Sequence, residues 1–166
     1  MTSLTYRDIR DDDFDALHEM MTDWDVVRQL GGWPWPADPD FARSRCRPYE
    51  GDGFVWGIAL NDRLIGTVGV TNGDMGYVLD PRHHGRGIIS KAARDAVAHA
   101  FATTDRSHLT GSTWFDNQAS YRVLQKLGFR HWQTRYIHAK ARGRPTLVFN
   151  QRLERADWDR LRSQSQ

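Results

Sequence analysis

A chain of 166 residues, 39% hydrophobic and 27% charged, is sized for one domain over residues 1–166 that buries a core without disulfides or metal, and its composition excludes a disordered chain. Its one cysteine, Cys46, forms no intrachain disulfide and builds no cysteine-based zinc site; it stands in RSRCRPYE without a partner pattern, so a plain thiol outweighs a nucleophile. A net charge of +2 points to no polyanionic partner, MTSLTYRDIR has no apolar leader core, and no stretch approaches the ~18 uncharged apolar residues of a membrane span, so a cytoplasmic protein is expected.

LTYRDI (residues 4–9) alternates like a first strand. DDDFDALHEMMTDWDVVRQL (residues 11–30) opens with acids suited to a helix N-terminus and sets Phe14, Leu17, Met20 or Met21, Trp24 and Val27 at helical spacing, which predicts one helix up to Gly31-Gly32. GGWPWPADPD, proline-stiffened and bearing Trp33 and Trp35, must be a loop, followed by a short helix over residues 40–49. GFVWGIAL, RLIGTVGV and DMGYVL are short β-type runs parted by Asn61-Asp62 and Asn72-Gly73, so residues 54–79 read as an antiparallel meander.

RGIISKAARDAVAHAFATT then places Ile89, Ala92, Ala93, Ala96, Val97, Ala100 and Phe101 on one helical face, and SHLTGSTW (residues 107–114) follows as a strand. DNQASYRVLQKLGF (residues 116–129) reads as a helix capped by Asp116 or Asn117 and stopped by Gly128. HWQTRYIHA and TLVFNQRLE are strands joined by the basic loop KARGRP, and the polar tail from about residue 160 is expected to fray. The order predicts an α+β, three-layer α/β/α fold: a mixed, mainly antiparallel sheet with a parallel crossover through the 86–103 helix.

Residues 122–162 hold 11 Lys or Arg against 3 Asp or Glu, whereas residues 1–50 hold 6 against 11. Such a basic region suits a phosphorylated ligand, an acidic acceptor or a merely solvated hairpin; it lacks the interleaved aromatics of single-strand readers, which argues against nucleic acid. The chemistry gathers in LDPRHHGRGIISKAARD (residues 79–95). Gly85 and Gly87 permit close backbone approach, a helix begins at the second, and arginines flank both, together an anion site. Gly85-x-Gly87-x-x-Ser90 also approaches a dinucleotide fingerprint, but the preceding strand ends an antiparallel meander and position 110 is Thr where an acid is needed. A glycine-softened turn is the plain alternative.

The topology, the Arg82-x-x-Gly85-x-Gly87 loop and NQASYRVLQKLGF together resemble the GNAT superfamily of N-acetyltransferases. YRDIRDDDFDAL, the PWP loop, GYVLDPRHHGRG and Asn117-x-x-Ser120 before LGF look like its RimJ/RimL-type branch, and the likeness runs from Leu4 to about Trp158. The resemblance implies acetyl-CoA as cosubstrate, no metal, and transfer of the acetyl group to a primary amine, on a protein N-terminus or a small molecule, by direct attack in a ternary complex. It implies a V-shaped splay of the sheet at the cofactor. There Tyr77, Val78 and Leu79 pair with the pantetheine, and the amides of His83, His84, Gly85, Arg86, Gly87 and Ile88 hold the pyrophosphate. Arg82 begins that cradle and Asn117 contacts the cofactor.

Many family members protonate the departing sulfur with a tyrosine four positions before the Gly-Phe pair, where this chain has Leu124; the branch's serine, here Ser120, is implied near the sulfur instead. The position often held by a glutamate base matches Ser112, which cannot serve. The resemblance implies Asp74, where branch members often carry an acid before the Gly-Tyr pair, with Asp116 at the second helix behind it. Asp74 also reads as a turn residue and Asp116 as a cap, and His83 and His84 suit backbone contact better than base work. Trp33, Trp35 and Trp56 are candidate walls of the acceptor site, or core-packed tryptophans, and Arg142 and Arg144 would suit an acidic or aromatic acceptor. Many relatives dimerise, so the resemblance allows a homodimer, but the sequence identifies no surface for one and does not fix the oligomeric state. The missing tyrosine keeps a non-catalytic acyl-CoA-binding or regulatory module on the same fold as a second reading.

Overall fold

The computed structural model describes residues 4–164; residues 1–3 and the end of the expected tail, 165 and 166, lie outside the described residues. Strand β1 (Leu4–Arg7) leads through a 3-10 turn (Asp11–Asp13) into α1 (Phe14–Met21) and a separate short α2 (Trp24–Val27). The single helix expected over residues 11–30 is thus broken. Asp23 adopts an extended backbone and its carboxylate accepts the Asp25 amide at 2.9 Å, so a fresh cap replaces helix continuation. Helix α3 (Pro39–Arg45) starts the same way, with Asp38 accepting the amides of Asp40 and Phe41 and proline in the first turn.

The meander is β2 (Gly53–Leu60), β3 (Arg63–Thr71) and β4 (Asp74–Leu79). Both tight turns have positive φ at their central pairs, 50° and 67° at Asn61-Asp62 and 51° and 79° at Asn72-Gly73, the conformation whose twist matches the flanking strands. After a 3-10 turn (Pro81–His83) come α4 (Ile88–Thr103), β5 (His108–Trp114), α5 (Gln118–Lys126), β6 (Arg130–Ala139), β7 (Arg144–Glu154) and α6 (Arg155–Gln164). Helix α6 covers the stretch expected to fray; its Trp158 is buried beside Phe101. Among the described residues no helix is long and apolar enough to cross a membrane.

The seven strands form one sheet in the order β1-β2-β3-β4-β5-β7-β6, antiparallel except for β4 with β5. One face packs on α4, α5 and α6 through Ile58, Val68, Met75, Ala93, Val97 and Leu124, and the other on α1, α2 and α3 through Leu17, Met21, Val27 and Leu64. The expected α+β layering and parallel crossover are both present.

The splay has a clear cause. β4 and β5 are in register only at Asp74 with Thr110 and Met75 with Gly111. Beyond that point β4 stays paired to β3 through Leu79, while β5 stays paired to β7 through Trp114. Each arm of the V is held by its outer neighbour, so the inner edges face each other unpaired.

Candidate active site

At the open end of the V, β4 runs into the glycine loop. Gly85 and Gly87 both have φ of 73°, the left-handed region that glycine enters freely, and a Cβ at either would meet nothing within 4 Å. Gly87 caps α4, whose first internal bond is donated by the Lys91 amide to the Gly87 carbonyl. Among the described residues the amides of residues 85–90 therefore have no acceptor. The His83 and His84 amides differ. They donate to the Asp80 and Pro81 carbonyls at 2.9 and 3.1 Å, so the 3-10 turn consumes two donors that sequence reasoning counted in the cradle.

Arg82 does not reach over the loop unengaged: its guanidinium grips the Asp80 carboxylate at 2.5–3.0 Å and lies 3.3 Å from Glu19. Those contacts hold Asp80 below the usual carboxylate range and raise Arg82 further. His84 places Nε2 3.0 Å from the Leu79 carbonyl, at the end of β4. Arg86 is exposed and forms no ion pair among the described residues.

Inside the V, Tyr77 from β4 meets Ser120 from the first turn of α5. Their hydroxyl oxygens are 2.7 Å apart, and the phenol also lies 3.2 Å from the Ser120 carbonyl oxygen. Burial pushes the Tyr77 phenol up to about 12, against the lowering effect of that contact. Asn117, not Asp116, caps α5, its side-chain oxygen accepting the Ser120 amide at 3.2 Å. Leu124 is buried against the Gly111 backbone.

Of the candidate bases, Asp74 sits where the V closes. Surrounding protein atoms push its carboxyl up, opposed by the Thr110 hydroxyl, which donates to it at 2.6 Å, and by the charge of Arg135, while one edge stays open to solvent. Asp116 is held low by Arg142, which donates to it through both terminal nitrogens at 2.8 and 2.9 Å. Ser112 donates to Asn150 Oδ1 at 2.7 Å.

On the opposite face of the sheet, a cavity of about 330 Å³ is floored by Thr67, Gly76 and Val78 and walled by Trp33, Phe41 and Arg45. Of the three tryptophans named from sequence only Trp33 lines it. Trp35 is exposed against Trp24, and Trp56 lies on the α4 face, stacked on Tyr6 at 5.4 Å and beside His99. Arg142 is likewise committed, bonded to Asp116, Gln29 and the Arg28 carbonyl. Cys46 is buried, its thiol pushed up by desolvation and donating to the Ala42 carbonyl, a setting that favours a packed thiol over a thiolate. Sequence reasoning missed Phe41 and Arg45, whose only signal was a place on the helix after the proline loop, and it used Tyr77 for its backbone alone.

The chain is similar to YoaA, an uncharacterized N-acetyltransferase of Bacillus subtilis (strain 168), with 28% identity over 141 residues covering 76% of this chain and 79% of the relative. Its fold matches a probable acetyltransferase with a TM-score of 0.80 at 18% identity, covering 95% and 99% of the two chains. It also matches RimL, a ribosomal L7/L12 alpha-N-protein acetyltransferase solved with coenzyme A, with a TM-score of 0.75 at 20% identity over 93% and 95%. Residues 3–130, most of the chain and all of the V, cradle and α5 start, match the acetyltransferase (GNAT) domain, and the protein belongs to the GNAT acetyltransferase family.

Proposed function

We propose that the protein is an acetyl-CoA-dependent N-acetyltransferase of the RimJ/RimL type, passing an acetyl group to a primary amine of a protein N-terminus or small molecule by direct attack in a ternary complex. The observation that carries this reading is the run of unpartnered amides at residues 85–90, at the end of a strand whose parallel neighbour has left it. A pyrophosphate calls for N–H donors and the positive end of a helix dipole, and the peptide-like pantetheine arm suits the open edge of Tyr77, Val78 and Leu79. The free guanidinium of Arg86 adds charge, while Arg82 braces the loop through Asp80. The fold shared with RimL, a ribosomal L7/L12 alpha-N-protein acetyltransferase solved with coenzyme A, supports the cosubstrate and acceptor class.

Acetyl-CoA supplies an acyl carbon activated as a thioester. Asp74 takes a proton from the acceptor ammonium, directly or through water, and its raised carboxyl makes it a stronger base than an ordinary one. As the C–N bond forms and the C–S bond breaks, Ser120 donates to the sulfur, its hydroxyl oriented by Tyr77 and its amide by Asn117. A hydroxyl is a weak acid, so its work is to stabilise the thiolate until solvent protonates it.

Calorimetric titration with acetyl-CoA, with NAD as comparator, followed by thiol release with amines and N-terminal peptides, tests the reading. Selective acetyl-CoA binding and amine-dependent thiol are expected. No acetyl-CoA binding would overturn the proposal, and binding without thiol release from any amine would leave a cofactor-binding module.

A further inference from the structure

The cavity beneath α3 has a one-sided charge. Among its lining residues there is no Asp or Glu, and its one cationic side chain is Arg45. The Arg45 guanidinium lies 4.8 Å from the Phe41 ring centroid, and the Lys140 ammonium lies 4.8 Å from the same ring. Arg63 and Arg82 meet Glu19 and Arg142 meets Asp116, while Arg43, also on α3, rests on the Phe14 ring, outside the cavity lining. Among the described residues neither Arg45 nor Lys140 has a carboxylate partner; each rests on an aromatic face, which leaves its charge uncancelled. The acid of this region, Asp74, lies on the side of Thr71, its cross-strand partner, and Gly76, both of which line the cavity.

Resting on the acetyltransferase reading, we propose that the acceptor is a primary amine whose aromatic or apolar body carries an anionic group, seated against Phe41, Arg45 and Lys140. The amine lies toward Gly76 and Asp74, where β4 opens, and Trp33 and Phe41 cover the body between the two charges. A polyamine finds no carboxylate on these walls and meets Arg45 on the lining, with Lys140 close by at the Phe41 ring. The cavity, near the lower end of the ~300–1,000 Å³ typical of small-ligand sites, admits an amino-acid-sized molecule or the first residue of a chain. Both sources offer the same chemistry, an amine and an acid across a short apolar body.

The test uses pairs that differ only in that acid: para-(aminomethyl)benzoate against its benzamide for the small molecule, and Phe-Asp-amide against Phe-Asn-amide for the chain terminus, with spermidine as the polycation. Binding of each to protein saturated with coenzyme A is read by calorimetry, and thiol release with acetyl-CoA is read separately. The acid of at least one pair should bind about tenfold or more tighter than its neutral partner, the effect of one charge-assisted pair. That ratio should fall toward one in Arg45→Gln combined with Lys140→Gln, with coenzyme A affinity as the control for folding. The pair with the larger ratio identifies the source. Equal binding within both pairs, or tighter binding of spermidine, overturns the inference even if thiol is released. Acid preference without thiol release keeps it and counts instead against the catalytic reading.

Discussion

The Tyr77 phenol carries one proton and has two acceptors within reach, the Ser120 hydroxyl and the Ser120 carbonyl. Its raised pKa keeps it neutral across the physiological range, so it remains a donor. When it donates to Ser120 Oγ, the serine hydrogen is turned away from β4 and toward the cleft. Tyr77 is then a positioning residue that acts through Ser120, which yields a distinctive expectation. Ser120→Ala should lower kcat about tenfold to a hundredfold, and Tyr77→Phe by about tenfold or less, with little change in acetyl-CoA affinity. The double variant should be no slower than Ser120→Ala alone, because the tyrosine has nothing left to orient. Steady-state kinetics on the four proteins decide it; additive losses would give the two hydroxyls independent roles. At this scale the sequence was only partly legible. Asn117 and Ser120 stand three apart, a spacing that marks a cap, whereas Tyr77 and Ser120 are 43 residues apart and meet only because α5 folds over β4. The pairing of Asp116 with Arg142, 26 residues on, was hidden for the same reason, and with it the loss of Arg142 as an acceptor contact.

The glycine loop and the V belong together as elements. A loop of free amides offers little by itself; placed where β4 loses its parallel neighbour, it adds the amides of residues 85–90 to the open β4 edge, with the internally bonded 3-10 turn between the two. Gly85→Val should raise the acetyl-CoA Kd about tenfold or more, since the branched side chain would occupy the open space over the amides, while the left-handed φ adds a local cost of about 1–2 kcal/mol. Titration of the variant checks the first effect and a melting curve the second; unchanged affinity would remove the loop from the cofactor site. The hairpins were readable in advance because Asn61-Asp62 and Asn72-Gly73 are residues that accept positive φ, a local property. The helix over residues 11–30 was misread because Asp23 looks like any polar residue on an outer face until its carboxylate turns back onto Asp25. Trp56 shows the limit of strand periodicity. Alternation separates it from Val55 but does not say which face receives α4, and Trp56 lies with His99 while Val55 lines the cavity.

Across the whole molecule, arginines fasten the periphery to the sheet. Arg7 on β1 holds Asp13 ahead of α1 with two 2.7 Å bonds, Arg142 draws the β6–β7 loop onto α2 and the start of α5, and Arg155 at the head of α6 donates to the carbonyls of Phe101 in the last turn of α4 and of Thr104 and Arg106 beyond it. Burial works to raise the Asp13 carboxyl, but the Arg7 bonds, the Arg10 amide and their charges outweigh it and hold it low. Asp80 and Asp116 are low as well, through Arg82 and Arg142. A carboxyl depressed in the folded state contributes stability above its unfolded value, about 3.9, and loses it as pH falls through the folded value. Asp74, raised by its crowded site, has the opposite sign: it favours the fold when protonated and loses that contribution as pH rises through its folded value. With three depressed carboxyls against one raised, melting temperature should fall in acid. Asp13→Asn isolates one clamp. At pH 7 it should cost about 1–3 kcal/mol, because Arg7, its side chain only 13% exposed, loses the carboxylate that both its terminal nitrogens grip and keeps only the exposed Asp62 carboxylate at 3.3 Å. Below about 3.9 the unfolded chain takes up a proton at Asp13 while the Arg7-bound carboxylate still resists one, so the gap between the two melting curves should narrow from there and close only as pH falls past the lower folded value. Melting temperatures of both proteins from pH 7 to pH 3 test this, and a gap that stays constant over that range would mean that the Asp13 charge contributes nothing and only its shape matters.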